Sequence, residues 1–141
     1  MRDGTLAYAS AVARNAVLDP QAPEPVGPYS HAVFAEARTL FVSGQTPIDP
    51  SSGQLIEGDV AAQTHQVFNN LASVLSAAGC DLTDVVKVNV YLIDMRDFEA
   101  MNRVYATYFT APYPARTTVA VVGLPLGARV EIEMVAQRSV H

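Results

Sequence analysis

Val85-Val86-Lys87-Val88-Asn89-Val90-Tyr91-Leu92-Ile93 decides the fold, because this β-branched run has a helical pattern on either side of it. Val86, Val88, Val90 and Leu92 alternate with Lys87, Asn89 and Tyr91, the two-residue period of a strand with one buried face. Upstream, Asp59 is placed to cap a helix in which Val60, Thr64, Val67, Phe68, Leu71, Val74, Leu75 and Ala78 fall at three-and-four spacing before Gly79 stops it. Downstream, Asp94 caps a second helix with Phe98, Met101, Tyr105, Tyr108 and Phe109 as its apolar stripe and Glu99 and Arg103 as an outer i,i+4 pair. Further out, residues 30–36 and 39–45 read as a hairpin turning at Glu36 to Arg38, with Leu40 and Val42 on one face and Phe41 and Ser43 on the other. Pro47 to Gly58 reads as a loop, and two more strands are expected at about 115–122 and 129–136. The order ββ-α-β-α-ββ predicts an α+β two-layer domain, a mixed β-sheet with two helices on one face. The other face of such a sheet is bare, and with no further helix in the chain the expected cover is another copy of the protein.

Composition agrees with one domain. A chain of 141 residues buries roughly 68% of its unfolded surface. Half of its residues are hydrophobic and only 16% are charged, which suits a subunit that hides part of its surface. The net charge of −5, with no Lys/Arg cluster, argues against nucleic acid as a partner. Cys80 is the single cysteine, so no internal disulfide forms, and His31, His65 and His141 show no metal-ligand spacing. A reducing, cytoplasmic, metal-free setting is expected.

Leu6 to Ala13 carries Ala-x-Ala triplets like those of a signal cleavage site, but it has one leucine, follows Asp3, and falls far short of a membrane span. Four prolines between Asp19 and Pro28 form an extended lead-in. Residues 1–22 are expected to be an N-terminal arm or edge strand, and 23–141 the folded domain.

Three polar side chains stand out from apolar surroundings. Asn102 lies near the Phe98-Met101-Tyr105 stripe; Arg116 shares a strand face with Thr118 and Ala120; Glu131 shares one with Glu133 and Val135. An internal ion pair or exposed edge charges would explain the arginine and the glutamate without any ligand. Were residues 115–122 and 129–136 a plain hairpin, Arg116 and Glu131 would stand about four rows, or ~13 Å, apart. Either the two strands are not hairpin partners, or these residues converge across a subunit boundary.

Gly27-Pro28-Tyr29-Ser30, Phe41-Val42-Ser43-Gly44-Gln45, Met101-Asn102-Arg103-Val104-Tyr105, Pro114-Ala115-Arg116 and Val130-Glu131-Ile132-Glu133 occur in this order and at compatible spacing. Between about Pro23 and Ala136 the chain thus resembles the RidA (YjgF) family of reactive intermediate deaminases. The resemblance implies a chorismate-mutase-like fold and a homotrimer whose sheets form a central β-barrel, with clefts at the subunit interfaces. It implies hydrolysis of enamines and imines such as 2-aminoacrylate to 2-keto acids and ammonia, without metal or cofactor.

By the same resemblance, Arg116 clamps the substrate carboxylate through its planar fork of donors. Glu131 is the acid/base that orients water and moves protons. Tyr29, Ser43 and Asn102 supply wall and hydrogen bonds, and Gly44 admits close approach of the backbone to the ligand. Glu133 is set aside. Thr118 stands where many members have a cysteine, so no thiolate is available there and pocket shape is the property in question. Two other functions are weighed: a non-catalytic trimer that senses 2-keto acids, and the endoribonuclease or translation-inhibitor activity with which some members have been labelled. The acidic balance counts against the latter, and Glu131 favours catalysis over sensing. A larger enamine than 2-aminoacrylate also remains open as substrate.

Overall fold

Asp59 does begin a helix: its side chain accepts a hydrogen bond from the Ala62 N–H at 2.9 Å, satisfying one of the orphan donors of the first turn. In the computed structural model, which describes residues 14–139, this helix α1 spans Val60–Ala77 and gives way to Gly79 at φ +76°. All eight residues of its expected apolar face are buried. Asp59→Ala is expected to lower the unfolding free energy by about 1 kcal/mol in urea titration, with function retained.

The strands are β1 (Asn15–Val17), β2 (Ala32–Ala35), β3 (Thr39–Gln45), β4 (Ile48–Asp49), β5 (Gln54–Leu55), β6 (Val85–Leu92), β7 (Ala115–Ala120) and β8 (Val130–Gln137). Six of them form one sheet in the order β1-β2-β3-β8-β6-β7. Only β6 and β7 run parallel; the other neighbours are antiparallel. β4 and β5 make a small hairpin inside the stretch expected to be loop. Helix α1 and the second helix, α2 (Phe98–Tyr105), pack on one face, closing a core in which Val88, Val90, Leu92 and Ile132 meet Phe68, Leu71 and Met101. The α+β sheet with both helices on one side is the predicted architecture. Among the described residues no helix is long and apolar enough to cross a membrane.

Three local expectations are corrected. Val86 was placed on the buried face, but the β6–β8 register shifts between Val85 and Lys87 and leaves Val86 49% exposed. The second helix is shorter than its apolar stripe. A 3₁₀ turn at Met95–Asp97 takes the Asp94 cap, α2 ends at Tyr105, Tyr108 follows in a turn and Phe109 comes just after it. These two still join the stripe's cluster: Tyr108 stacks on Phe68 with centroids 4.3 Å apart. Finally, Glu99 and Arg103 do not pair; the ion pairs among the described residues are Arg96–Asp94 and Arg129–Asp97.

The hairpin question is answered by topology. β6 lies between β7 and β8, so the two charged strands are not neighbours at all. β1 adds an antiparallel edge strand to β2, while the Ala-x-Ala stretch and the rest of residues 1–13 lie outside the described residues. On the sheet face away from the helices, Phe41 is 51% and Val119 41% exposed.

Candidate active site

Parity divides the expected site residues into two groups. Arg116 is in register with Val88, which is fully buried under the helices, so its side chain stands on the helix side of β7. There its guanidinium lies over the Tyr105 ring at 4.5 Å and the Phe98 ring at 5.6 Å, and Nη1 donates to Asn102 Oδ1 at 2.7 Å. α2 therefore holds the guanidinium plane in three ways, two aromatic faces and one amide. No carboxylate among the described residues pairs with Arg116, so no ion pair among them explains this charge. Thr118, two residues on, has a buried hydroxyl with no hydrogen-bond partner, and so does Tyr105. Buried polar atoms left unpaired cost stability and mark a place where a ligand or water belongs.

Glu131 is in register with Tyr91 and therefore projects from the opposite face. A cavity of about 390 Å³ opens there, lined by Tyr29, Ser43, Gly44, Leu126, Glu131 and Glu133. The lead-in segment builds one wall. His31 is buried; its Nδ1 accepts from the Asp19 N–H and its Nε2 donates to the Pro23 carbonyl, which ties residues 19–31 to the sheet. Ser43 is tied to the same segment, Oγ donating to the Ser30 carbonyl at 2.7 Å and N–H to the His31 carbonyl at 2.9 Å. Tyr29 is partly exposed over the cavity, its Oη accepting a long 3.4 Å bond from the Val26 N–H. Opposite, Leu126 holds a left-handed backbone (φ +61°) that a non-glycine residue adopts at a cost.

Gly44 is the position where the lack of a side chain matters most. A Cβ there would meet Glu131 Cδ at 3.0 Å and Cγ at 3.2 Å and run into its carboxylate oxygen. The expected role of Gly44, close backbone approach, thus has a specific neighbour: Glu131 itself. Burial raises the Glu131 carboxyl above the ordinary glutamate range, and the charge of Glu133 raises it further.

Glu133 was set aside at the sequence level, yet it stands on the same face and lines the same cavity. The strand period pointed to it, since residues two apart share a face. Tyr91, which donates to Glu133 Oε1, was missed altogether. Its place opposite Glu131 depends on the β6–β8 register, which the hairpin reading of the last two strands concealed.

Within one chain the two groups do not meet. Arg116 and Glu131 lie three rows and two strands apart, about 10 Å along and about 10 Å across the sheet. They also project from opposite faces.

The Endoribonuclease L-PSP family profile matches residues 19–138. The chain belongs to the RidA (YjgF) family. A human relative named 2-iminobutanoate/2-iminopropanoate deaminase is 46% identical over 127 residues, 90% of this chain and 92% of that protein. The crystal structure of RidA from an Antarctic Psychrobacter superposes with a TM-score of 0.83 at 44% identity, over 88% of this chain and 99% of the other. The Escherichia coli YjgF gene product gives the same TM-score at 36% identity, over 89% of this chain and 99% of the other. These solved RidA-family structures share the α+β sheet described above, and the five motifs that carried the resemblance all fall within the matched span.

Proposed function

We propose that this chain is a cofactor-free deaminase that hydrolyses 2-enamine and 2-imine acids, with 2-aminoacrylate and its tautomer 2-iminopropanoate as the simplest substrates, to 2-keto acids and ammonia. One juxtaposition carries the residue assignment: a planar cation set on aromatic faces with no carboxylate partner among the described residues, and a half-buried carboxyl biased towards its protonated form, each in half of a site. The first suits a substrate carboxylate, the second proton transfer. Glu131 and Glu133 make the cavity wall acidic, which disfavours the phosphates of RNA and so the endoribonuclease reading.

The proton inventory closes on Glu131 alone. Its carboxyl gives a proton to the methylene carbon of the enamine, forming an iminium. The resulting carboxylate takes a proton from water as the water oxygen bonds to C2. That proton passes to the amino nitrogen, ammonia departs, and the hydroxyl proton returns to Glu131 as the ketone forms. Net, one water is consumed and one ammonia released. Arg116 holds the substrate carboxylate throughout, and Tyr29, Ser43 and Asn102 position substrate and water. Thr118, with an unpaired hydroxyl on the arginine's side, offers a hydrogen bond where a thiol would offer a nucleophile; the proton cycle needs none.

Because the halves lie on opposite faces, the complete cleft is formed between copies, with Arg116, Asn102 and Thr118 from one subunit and Tyr29, Ser43, Gly44 and Glu131 from its neighbour. Half-exposed Phe41 and Val119 on the helix-free face support a homotrimer closed around a central barrel.

Keto acid and ammonia release from enzymatically generated 2-aminoacrylate is the direct test; no acceleration over the uncatalysed reaction would refute the activity. In the same assay Gly44→Ala is expected to lose at least roughly 10²-fold, because the added methyl displaces the Glu131 carboxylate from its place. Its thermal midpoint should hold, since the displaced atoms are the end of one side chain.

A further inference from the structure

Glu131 borders a second cavity, of about 270 Å³, which shares Gly44 and Glu133 with the first and adds Tyr91, Val121 and Gly123. Tyr91 and Glu131 are register partners on neighbouring strands, as are Asn89 and Glu133, so Glu131, Glu133 and Tyr91 form one triangle on the helix-free face. The third side is made by the short hydrogen bond from Tyr91 Oη to Glu133 Oε1. We infer that Tyr91 and Glu133 are positioning residues for the proposed reaction: Tyr91 pins the Glu133 carboxylate beside Glu131, where its charge helps Glu131 act as the acid.

Alternatives to this source of charge are few. Among the described residues, the titratable or charged groups that face Glu131 are Glu133 on its own strand, Tyr91 and Lys87 on β6, and Tyr29 from the lead-in segment. Lys87 lies farther along β6, opposite Val135, and its Nζ donates to Thr117 Oγ1 at 2.9 Å. β3 presents uncharged Ser43 and Gly44, and the loop before β8 presents Pro125 and Leu126. Glu133 is thus the one neighbouring carboxylate among the described residues, and Tyr91 is what holds it. The Tyr91 hydroxyl is suited to this: its bond to Glu133 pushes its own ionisation up to about 12, so it remains a donor at every working pH.

The function follows from the proton cycle. A glutamate at its ordinary value is ionised near neutrality and has no proton to give an enamine carbon. Burial raises it, and like-charge repulsion raises it further only if the second carboxylate stays in place. Without Tyr91, Glu133 is free to swing out towards solvent, and the repulsion fades with distance and screening.

This inference rests on the assignment of Glu131 as the acid, and its test separates the two. Glutamate side-chain carboxyls of the ¹³C-labelled assembled protein are titrated by NMR, with Glu131 assigned from Glu131→Gln. Glu133→Gln should lower the Glu131 midpoint, and Tyr91→Phe should lower it by a smaller amount. Tyr91→Phe added to Glu133→Gln should change nothing further, since it acts only through Glu133. The alkaline limb of kcat/KM should move in the same direction in each variant. An unchanged or raised midpoint in Glu133→Gln, or a Tyr91 effect that persists without Glu133, overturns the proposal. Full deamination by Glu131→Gln would instead overturn the acid assignment, whatever the titration shows.

Discussion

Arg116→Lys is expected to lower kcat/KM for 2-aminoacrylate by roughly 10²- to 10³-fold while leaving the fold and assembly intact. The charge is conserved; the plane is not. The guanidinium is held by stacking on Tyr105 and Phe98 and by its bond to Asn102 Oδ1, so its donors are fixed before substrate arrives. An ammonium offers three donors about a point and no flat surface to rest on the two rings, so it must be ordered during binding. Loss should therefore appear in both KM and kcat: in KM because the clamp is weaker, in kcat because the reacting carbon is less well placed against Glu131. Asn102→Ala should show a milder version of the same pattern. A lysine variant with near-parental kcat/KM would mean that the carboxylate is bound elsewhere.

How much of this arrangement was legible in the sequence depends on the range of the interaction that fixes each part. α1 was legible to the residue, because its cap, apolar face and terminating glycine are local features. β6 was legible as a strand, but not the shift that exposes Val86, which belongs to its pairing with β8. α2 was overextended because Tyr108 and Phe109 continue the helical spacing; they reach the same aromatic cluster from beyond the helix end, which residue spacing alone does not distinguish. For the site, residue identity came from five short motifs, and the split between the two groups did not. A parallel β6–β7 pair with β8 on the other side of β6 is a long-range choice. The hairpin estimate of four rows failed as geometry, yet it raised the right alternative: the last two strands are not hairpin partners. Glu133, set aside as if on the opposite strand face, was legible all the same, since alternation alone puts it beside Glu131.

A mixture of two inactive proteins should be active. Arg116→Ala removes the clamp from every cleft of its assembly, and Glu131→Gln removes the acid; each alone should lose roughly 10²- to 10⁴-fold. If a cleft takes Arg116 from one subunit and Glu131 from the next, a mixed assembly contains clefts bordered by an intact arginine on a Glu131→Gln subunit and an intact glutamate on an Arg116→Ala subunit. Random mixing at equal amounts makes both conditions true at about one cleft in four, since each border is independently correct half the time. Unfolding and refolding the two variants together should restore about a quarter of the parental rate, whereas mixing without exchange should restore none. The result separates two architectures that the single-chain geometry leaves in unequal standing. Were both residues to act from one chain, they would have to reach each other through the sheet, from opposite faces and two strands apart. Every mixed assembly would then carry one defect per site, and no activity would return. The double variant bearing both substitutions on one chain, refolded with an equal amount of parent, sharpens the comparison. It yields intact clefts only where two parental subunits adjoin, again about one in four on random mixing. Recovery should therefore be equal in the two mixtures if the site is shared, and confined to the second if it is not.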